Sequence, residues 1–199
     1  MDILKFIHIT KTSGTYIENI AWEKNIFWGI NDLFLKNSKL PINYNPSYWH
    51  IPLPMYPKYP YDTNIKLFTV VRNPYDRIVS ECFCKWGGKY CNKLNTKDDF
   101  NNYIFEQVSK AEDPSFFHFF PQYRYTHHNN KCFVDYILKY ENIEIEFNNL
   151  MNLYNIDIKY INNGNTSYKF TINDISRENI DLINDIYHYD FIYFNYKKM

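Results

Sequence analysis

The chain has 199 residues, and its 22 Lys and Arg side chains balance its 22 Asp and Glu side chains, so the formal net charge at pH 7 is zero. Zero net charge argues against a general nucleic-acid coat protein, which needs a broad basic surface. The 20 Tyr, 16 Phe and 4 Trp residues exclude a disordered chain, because disordered chains are poor in aromatic residues. A chain of this length fits one domain that buries roughly 70% of its unfolded surface and does not depend on disulfides.

Hydropathy and composition also bear on location. No apolar run reaches the roughly 18 residues that cross a bilayer, and residues 1–5 lack the charged start and long apolar core of a signal peptide. We therefore expect a soluble, cytoplasmic protein with no membrane span and no nucleic-acid partner. The excess of Asn, Ile, Lys and Tyr over Ala and Gly is typical of AT-rich coding, which predicts that much of the Asn carries little structural information.

The four cysteines give little sign of a metal site. Cys82, Cys84 and Cys91 cluster, and Cys132 lies apart from them. The C-x-C spacing does not match a structural zinc site, and neither does the adjacent pair of histidines at positions 127 and 128. We therefore expect no metal. A Cys84–Cys91 disulfide could form under oxidation, whereas a cytosolic location predicts free thiols.

The first part of the chain predicts a strand, a loop and a helix. Residues Ile3–Ile9 form a short apolar run typical of a buried strand, and a small polar loop follows at Thr10–Thr15. The next apolar residues share one face at helical spacing, which predicts a helix: Tyr16, Ile17, Ile20 and Ala21.

A proline-rich segment separates this unit from the next strand. Residues 40–60 contain six prolines, which forbid a regular helix and favour an extended surface loop. The aromatic residues of this loop are equally typical of packing and of platforms for sugar rings: Tyr44, Tyr48, Trp49, Tyr56 and Tyr59.

The second strand is expected at Lys66–Val71 and ends at Arg72. Asn73 is then expected as an N-cap and Pro74 as the first residue of a helix that runs through Tyr75 to about Phe83. The later elements predicted are helices at Asp98–Val108, Ile143–Tyr154 and Asn173–Tyr187, an aromatic segment Phe116–Tyr125, a strand Cys132–Leu138 and a polar turn Asn162–Thr166. This alternation predicts an α/β fold: one domain over residues 1–199 with a central, mostly parallel sheet and helices on both faces. In such sheets ligands bind where strands end and helices begin.

Both strand-to-helix junctions carry the chemistry of an anion site. Lys11 lies at the first and Arg72 at the second, and a helix start offers unpaired N–H donors and the positive end of its dipole. Gly14 permits close approach of the backbone, and hydroxyls surround it at Thr12, Ser13 and Thr15. An ordinary ATPase is disfavoured, because Lys11 precedes the glycine and Arg72, not an acidic residue, follows the second strand.

The two junctions resemble those of one known family. His8–Thr15 is similar to the phosphosulfate loop H-x-P-K-T-G-G-T of sulfotransferases, which have a P-loop-like nucleotide-binding fold. Val71–Ser80 resembles the R-N-P-Y-D-R-x-x-S element of the same family. Further blocks at Pro121–Tyr125, Leu138–Asn142 and Tyr187–Tyr196 follow in the family's order, so the resemblance to its carbohydrate-type branch covers nearly the whole chain.

The resemblance implies transfer of a sulfuryl group from 3′-phosphoadenosine 5′-phosphosulfate (PAPS) to a hydroxyl, most often on a sugar, without a metal. It implies that Lys11 stabilises the leaving 5′-phosphate and that Arg72 and Ser80 hold the 3′-phosphate. The residues implied to line the donor site are Lys11, Thr12, Ser13, Gly14, Thr15, Tyr16, Arg72 and Ser80, with Asn165, Ser167 and Lys169 closing over the nucleotide.

The acceptor hydroxyl needs a base, and His is the usual choice near neutral pH. His50 is the first candidate, because it lies in the aromatic-rich loop between the two phosphate elements. Glu18 is the reserve candidate, one helical turn after Thr15. His8 is interpreted as a hydrogen-bonded core histidine.

Three residues depart from the family pattern. Thr10 stands where Pro is usual, and Tyr16 either reshapes the pocket or stacks on the adenine. Ser13 replaces a Gly, so it needs a negative φ or else carries strain. Two alternative functions remain: a non-catalytic protein that binds a nucleotide or glycan with the same fold, and a phosphoryl transferase that uses ATP.

Overall fold

The computed structural model describes residues 3–26, 28, 50, 52, 65–85, 94–113, 117–161 and 167–199. Most of the proline-rich loop with its aromatic residues lies outside the described residues, as do Cys91, the polar turn 162–166 and Asn165. Among the residues described, no helix is long and apolar enough to cross a membrane.

The described residues form six α-helices, five strands and three 3-10 turns. The helices are α1 (Gly14–Trp22), α2 (Pro74–Cys82), α3 (Lys97–Val108), α4 (Ile143–Leu153), α5 (Arg177–Ile186) and α6 (His188–Tyr193). The strands are β1 (Ile3–Ile7), β2 (Ile65–Val71), β3 (His127–His128), β4 (Lys131–Cys132) and β5 (Tyr136–Lys139). The 3-10 turns are Gln122–Tyr125, Tyr140–Asn142 and Ile172–Asp174.

The chain divides into two compact units. The first comprises Met1–Val71 and Arg124–Asn163, and the second comprises Arg72–Tyr123 and Gly164–Met199. The single domain expected over residues 1–199 stays a prediction.

A three-stranded parallel sheet organises the first unit, in the order β1-β2-β5. Phe6 of β1 lies opposite Phe68 of β2, and Val70 of β2 lies opposite Leu138 of β5. The expected α/β class with a parallel sheet flanked by helices is confirmed. Because the strands are parallel, the chain leaves all three at the same edge of the sheet, which is where such folds bind ligands.

Alternate residues of a strand point to the same face of the sheet. On one face of this sheet those residues are apolar. Helices α1 and α4 pack on this face, and Phe68 and Phe147 are both fully buried. The buried cluster contains Leu4, Phe6, Phe68, Val70 and Leu138 from the strands and Ile17, Ala21, Phe147, Leu150 and Met151 from the helices.

The strands differ from the sequence prediction in two places. Strand β1 ends at Ile7 rather than Ile9, and the strand expected at Cys132–Leu138 begins only at Tyr136. Residues 131–132 pair instead with 127–128 as an antiparallel hairpin. The reason is the turn at Asn129 and Asn130, whose φ angles of 49° and 60° suit the two central positions of a tight hairpin.

Asn takes over a role that usually belongs to Gly at helix ends. Asn25, Asn155 and Asn195 have φ angles of 58°, 54° and 52° and follow α1, α4 and α6. After each, the next residue donates its N–H to a carbonyl five positions earlier, at Ala21, Met151 and Phe191. This is the Schellman end, which requires left-handed backbone. The expectation that much of the Asn is structurally uninformative is wrong at these positions.

The second unit is helical and has its own core. Helix α2 begins as expected: Pro74 is its first residue, and Oδ1 of Asn73 accepts a hydrogen bond from the Tyr75 N–H at 3.0 Å. The last predicted helix begins later than expected, because residues 172–174 form a 3-10 turn and Ser176 caps α5 at Arg177. A further helix, α6, begins at His188, beyond the predicted end at Tyr187. The buried cluster of this unit includes Tyr75, Ile78, Phe100, Ile104, Ile183, Tyr187 and Phe191.

We expect Phe147→Ala to lower the free energy of unfolding by about 3–5 kcal/mol, because it leaves a cavity in the apolar face of the sheet. Ile145→Ala is the control on the same helix, since Ile145 is 67% exposed and should change stability by less than about 0.5 kcal/mol. Urea unfolding followed by circular dichroism measures both. Equal effects of the two substitutions would contradict this packing.

Candidate functional site

The loop between β1 and α1 contains two residues with left-handed backbone. The φ angles of Lys11 and Ser13 are 58° and 73°. Ser13 therefore adopts the positive φ of the glycine it replaces and does not avoid it with a negative φ. Each such residue costs about 1–2 kcal/mol relative to right-handed backbone. Strain of this kind is typical of functional sites, where the surrounding structure holds it.

Two hydroxyls of this loop are engaged within the protein. The Thr12 side chain is fully buried, and its hydroxyl donates to the carbonyl of Ile9 at 2.8 Å. Ser13 Oγ and the Tyr160 hydroxyl share a hydrogen bond of 2.7 Å. Thr12 therefore offers an anion its backbone N–H and not its hydroxyl hydrogen. Thr15 is exposed at the second position of α1.

Gly14 is required by the close approach of His8. A Cβ atom at position 14 would lie 2.2 Å from Cδ2 and 2.3 Å from Nε2 of the His8 ring. Contacts this short do not occur between real atoms, so any side chain would displace the imidazole. The sequence indicated a glycine for backbone approach to a ligand, and the structure adds that it also makes room for His8.

The start of α1 keeps its capacity to bind an anion. Ser13 occupies the N-cap position without a capping hydrogen bond from its side chain, and the first turn contains no acidic residue. This turn therefore presents its N–H groups and the positive end of the helix dipole to the loop, and it contains no carboxylate of its own. Lys11, partly buried in the same loop, adds a cation.

Tyr160 supports the loop from the segment that follows α4. Its ring meets the Tyr16 ring edge to face with 4.8 Å between centroids. Asn148 holds its backbone, donating to its carbonyl at 3.2 Å and accepting from its N–H at 2.8 Å. Burial raises the pKa of the Tyr160 hydroxyl, so this group stays neutral and available to Ser13. The sequence offered no sign of Tyr160 as a site residue.

His50, the predicted base, lies in contact with His8. Its Nδ1 donates to the His8 carbonyl at 3.2 Å, and the two rings are perpendicular with centroids 4.4 Å apart. The Tyr125 hydroxyl donates to the His50 carbonyl at 2.8 Å. Because a carbonyl only accepts, this contact places the proton of neutral His50 on Nδ1 and leaves Nε2 as the basic nitrogen.

Glu18 and His8 form a buried pair beside this contact. Oε2 of Glu18 lies 3.3 Å from Nδ1 of His8, and the two side chains are 8% and 9% exposed. The His8 nitrogen makes no directed hydrogen bond in the described part of the chain, so the contact is ionic when the ring is protonated. His8 is therefore not the simple hydrogen-bonded core histidine that the sequence suggested. The Glu18 side chain lies against His8, on the side of α1 that faces the loop.

In the second unit, the Gln122 side chain holds the backbone of Arg72 in place. The Gln122 side chain accepts from the Arg72 N–H at 2.9 Å and donates to the Arg72 carbonyl at 2.8 Å. Asp190 in turn accepts from the N–H groups of Gln122 at 2.9 Å and of Tyr123 at 2.7 Å. Burial raises the pKa of the Asp190 carboxyl to about 6. Gln122 and Asp190 are both fully buried, and neither is a site residue predicted from the sequence.

Ser80 is also positioned by a partner that the sequence did not indicate. It is 1% exposed, and its Oγ shares a hydrogen bond of 2.8 Å with the Tyr168 hydroxyl. The Tyr168 ring stacks on Phe83 with 5.2 Å between centroids. Of the residues expected to close over the nucleotide, Ser167 is exposed next to Tyr168. Lys169 donates from Nζ to the carbonyl of Asn95 at 2.8 Å.

Among the described residues, one cluster has the donor atoms of a metal site. Glu81, Cys84 and His118 each contribute one atom, and these atoms lie within 4.8 Å of one another. This combination differs from the candidate ligands in the sequence, which were the cysteines and the histidine pair 127–128. Cys82, Cys84 and Cys132 are free thiols.

Comparison with known proteins identifies the family. The chain shows no significant similarity to curated proteins or to solved structures. The family model described as the sulfotransferase family matches residues 6–197, a span that contains both the Lys11 loop and the Arg72 junction. Since this match covers nearly the whole chain, the protein belongs to the sulfotransferase family.

Proposed function

We propose that this sulfotransferase moves the sulfuryl group of PAPS to an acceptor hydroxyl on a carbohydrate. The observation that supports the proposal best is the strained Lys11–Gly14 turn, which presents a cation and N–H donors at the start of α1. A structure of this kind binds phosphate or sulfate. The family resemblance supplies the identity of the donor.

The proposed reaction is a single in-line displacement. The acceptor oxygen forms a bond to sulfur as the bond between sulfur and the bridging oxygen of the 5′-phosphate breaks, so adenosine 3′,5′-bisphosphate leaves. Negative charge grows on that bridging oxygen in the transition state. Lys11 and the N–H donors of the loop stabilise this charge more than they stabilise the ground state. No metal is required for the step.

His50 is the proposed base. Its Nε2 takes the proton of the acceptor hydroxyl, while its Nδ1–H stays bonded to the His8 carbonyl. Glu18, the alternative base, is assigned a positioning role, because its carboxylate is buried against His8 and not exposed to an acceptor. The His8 ring, held between Glu18 and Gly14, supports the His50 ring edge to face.

Arg72 and Ser80 are proposed to hold the 3′-phosphate, on the strength of the family element that they match. Arg can grip a phosphate with two hydrogen bonds, and this extra phosphate separates PAPS from ATP. The Gln122 contact supports the assignment, since it fixes the Arg72 backbone directly after β2. We assign Thr12, Thr15 and Tyr16 to the donor site, and Asn165, Ser167 and Lys169 to closure over the nucleotide.

A binding protein without turnover is the second candidate. The hydrogen bond between Ser13 and Tyr160 favours it, because that loop hydroxyl is engaged within the protein. Calorimetry separates the two functions: adenosine 3′,5′-bisphosphate that binds tightly, with no label transferred to any glycan of a panel, would select the binding protein.

Lys11→Ala should lower the transfer of radiolabelled sulfate from PAPS to glycans by about a hundredfold or more, as removal of a preorganised oxyanion donor does. Lys24→Ala is the matched control, since Lys24 is exposed beyond α1 and pairs with Asp157. If wild type and Lys11→Ala transfer the same amount of label, the proposal fails.

His50→Ala should reduce kcat by about a hundredfold, the lower range for loss of a general base. The affinity for adenosine 3′,5′-bisphosphate should stay within about twofold, because the base contacts the acceptor and not the donor. His128→Ala, at an exposed position of the small hairpin, should change neither value. A large loss of donor affinity in His50→Ala, measured by calorimetry, would place His50 in donor binding instead.

Arg72→Ala should weaken binding of adenosine 3′,5′-bisphosphate by about 10- to 100-fold, the worth of a hydrogen bond to a charged group. Binding of adenosine 5′-phosphate, which lacks the 3′-phosphate, should stay nearly the same. Arg177→Ala serves as the control, since Arg177 is exposed on α5 and pairs with Asp181. Equal losses for both nucleotides would disprove a specific role for Arg72 at the 3′-phosphate.

A further inference from the structure

The cluster of Glu81, Cys84 and His118 lies in the second unit, on side chains that the proposed reaction does not use. Glu81 is in the last turn of α2, Cys84 follows that helix, and His118 follows α3. Carboxylate oxygen, thiolate sulfur and imidazole nitrogen are all common ligands of zinc in proteins. A mixed set that includes a thiolate and an imidazole favours zinc over magnesium or calcium.

The backbone presents these three side chains to one another. The Cys84 N–H donates to the Glu81 carbonyl at 2.9 Å, which continues the turn of the helix and brings the two side chains to the same side. His118 is held from the other direction, because Nη2 of the buried Arg77 donates to its carbonyl at 2.8 Å. The donor atoms therefore come from two anchored segments.

The Glu81 carboxylate is incompletely satisfied. The residue is 1% exposed, and its Oε2 accepts from Nδ1 of His118 at 3.0 Å. Its Oε1 is buried and has no hydrogen-bond partner in the described part of the chain. A buried carboxylate oxygen without a partner is costly, and a cation is the group that relieves this cost most fully.

We propose that Glu81, Cys84 and His118 bind one zinc ion, with water as the fourth ligand, at a structural site separate from sulfuryl transfer. The ligand atoms of a tetrahedral zinc ion lie roughly 3.3–3.8 Å apart, given its bond lengths. The donor atoms, which lie within 4.8 Å of one another, therefore have to approach by up to about 1 Å when the ion binds.

Charge and protons balance at this site. In the ion-free site the Glu81 carboxylate carries one negative charge, while the Cys84 thiol and the His118 imidazole, which donates from Nδ1, are neutral. Zinc bonds to the Glu81 carboxylate, to the Cys84 sulfur, whose proton is released to solvent, and to Nδ1 of His118. The Nδ1 proton of His118 leaves to solvent and Nε2 takes one up, so the imidazole stays neutral, and the bound site, with one ion and two anionic ligands, has no net charge. The His118 side chain is 31% exposed, which leaves a path for the ion.

Metal analysis of the full chain, purified without an affinity tag and with a thiol-free reductant, tests the proposal. We expect one zinc ion per chain after gel filtration in zinc-containing buffer. Cobalt in place of zinc should give a near-ultraviolet absorption band from the thiolate-to-cobalt charge transfer. Absence of bound zinc, or cobalt bound without that band, would overturn the site.

Three variants locate the ion. Cys84→Ser and Glu81→Gln should each weaken zinc binding by at least about tenfold. Loss of a residue that only orients a metal ligand already lowers metal affinity by about that factor, and loss of a ligand itself should cost at least as much. Cys132→Ser is the control, because Cys132 is an exposed free thiol outside the cluster. Zinc affinity that is equal in wild type and Cys84→Ser also refutes the assignment. If Cys84→Ser does not fold, Glu81→Gln and the cobalt spectrum of the wild type decide the outcome, and neither depends on enzymatic activity.

Discussion

The contact of the His8 ring with Gly14 is the constraint on which the anion loop depends. A Cβ atom at position 14 would lie 2.2 Å from that ring, so only glycine lets the imidazole and the first turn of α1 approach so closely. The same His8 ring also lies against the Glu18 carboxylate and the His50 ring. The same turn holds Lys11 in left-handed backbone, which persists because its surroundings keep it there.

Buried polar groups position the residues around the Lys11 loop in the first unit and around Arg72 in the second. In the first unit the Glu18 carboxylate faces His8, and in the second the Asp190 carboxylate accepts from the N–H groups of Gln122 and Tyr123. Burial raises the pKa of Asp190 to about 6, above its ordinary value. Its carboxylate is therefore costly to keep ionised, and the hydrogen bonds to it offset that cost. These hydrogen bonds fix Gln122, which in turn fixes the backbone of Arg72, the residue that we propose holds the 3′-phosphate of the donor.

The scarcity of glycine in this chain changes how its helices and turns are closed. The sequence has only 5 glycines, and Asn takes the left-handed position after α1, α4 and α6 and in the turn between β3 and β4. Asn tolerates this backbone better than most residues because its short side chain can hydrogen-bond locally. In the anion loop Ser13 likewise takes a left-handed position that is usual for glycine, and its hydroxyl bonds to Tyr160.

The sequence by itself determined the α/β class, the parallel strands β1 and β2, the Asn73–Pro74 start of α2 and the candidate residues Lys11, Arg72 and His50. These features follow from local chemistry, that is, from residue spacing, capping and backbone preference over a few neighbouring positions. Only the tertiary structure decided that His50 rests on His8, that Gln122 holds Arg72 and that Ser80 bonds to Tyr168. Those partners are 42, 50 and 88 positions apart. Every buried polar group needs a partner, but which one it finds depends on how distant segments pack.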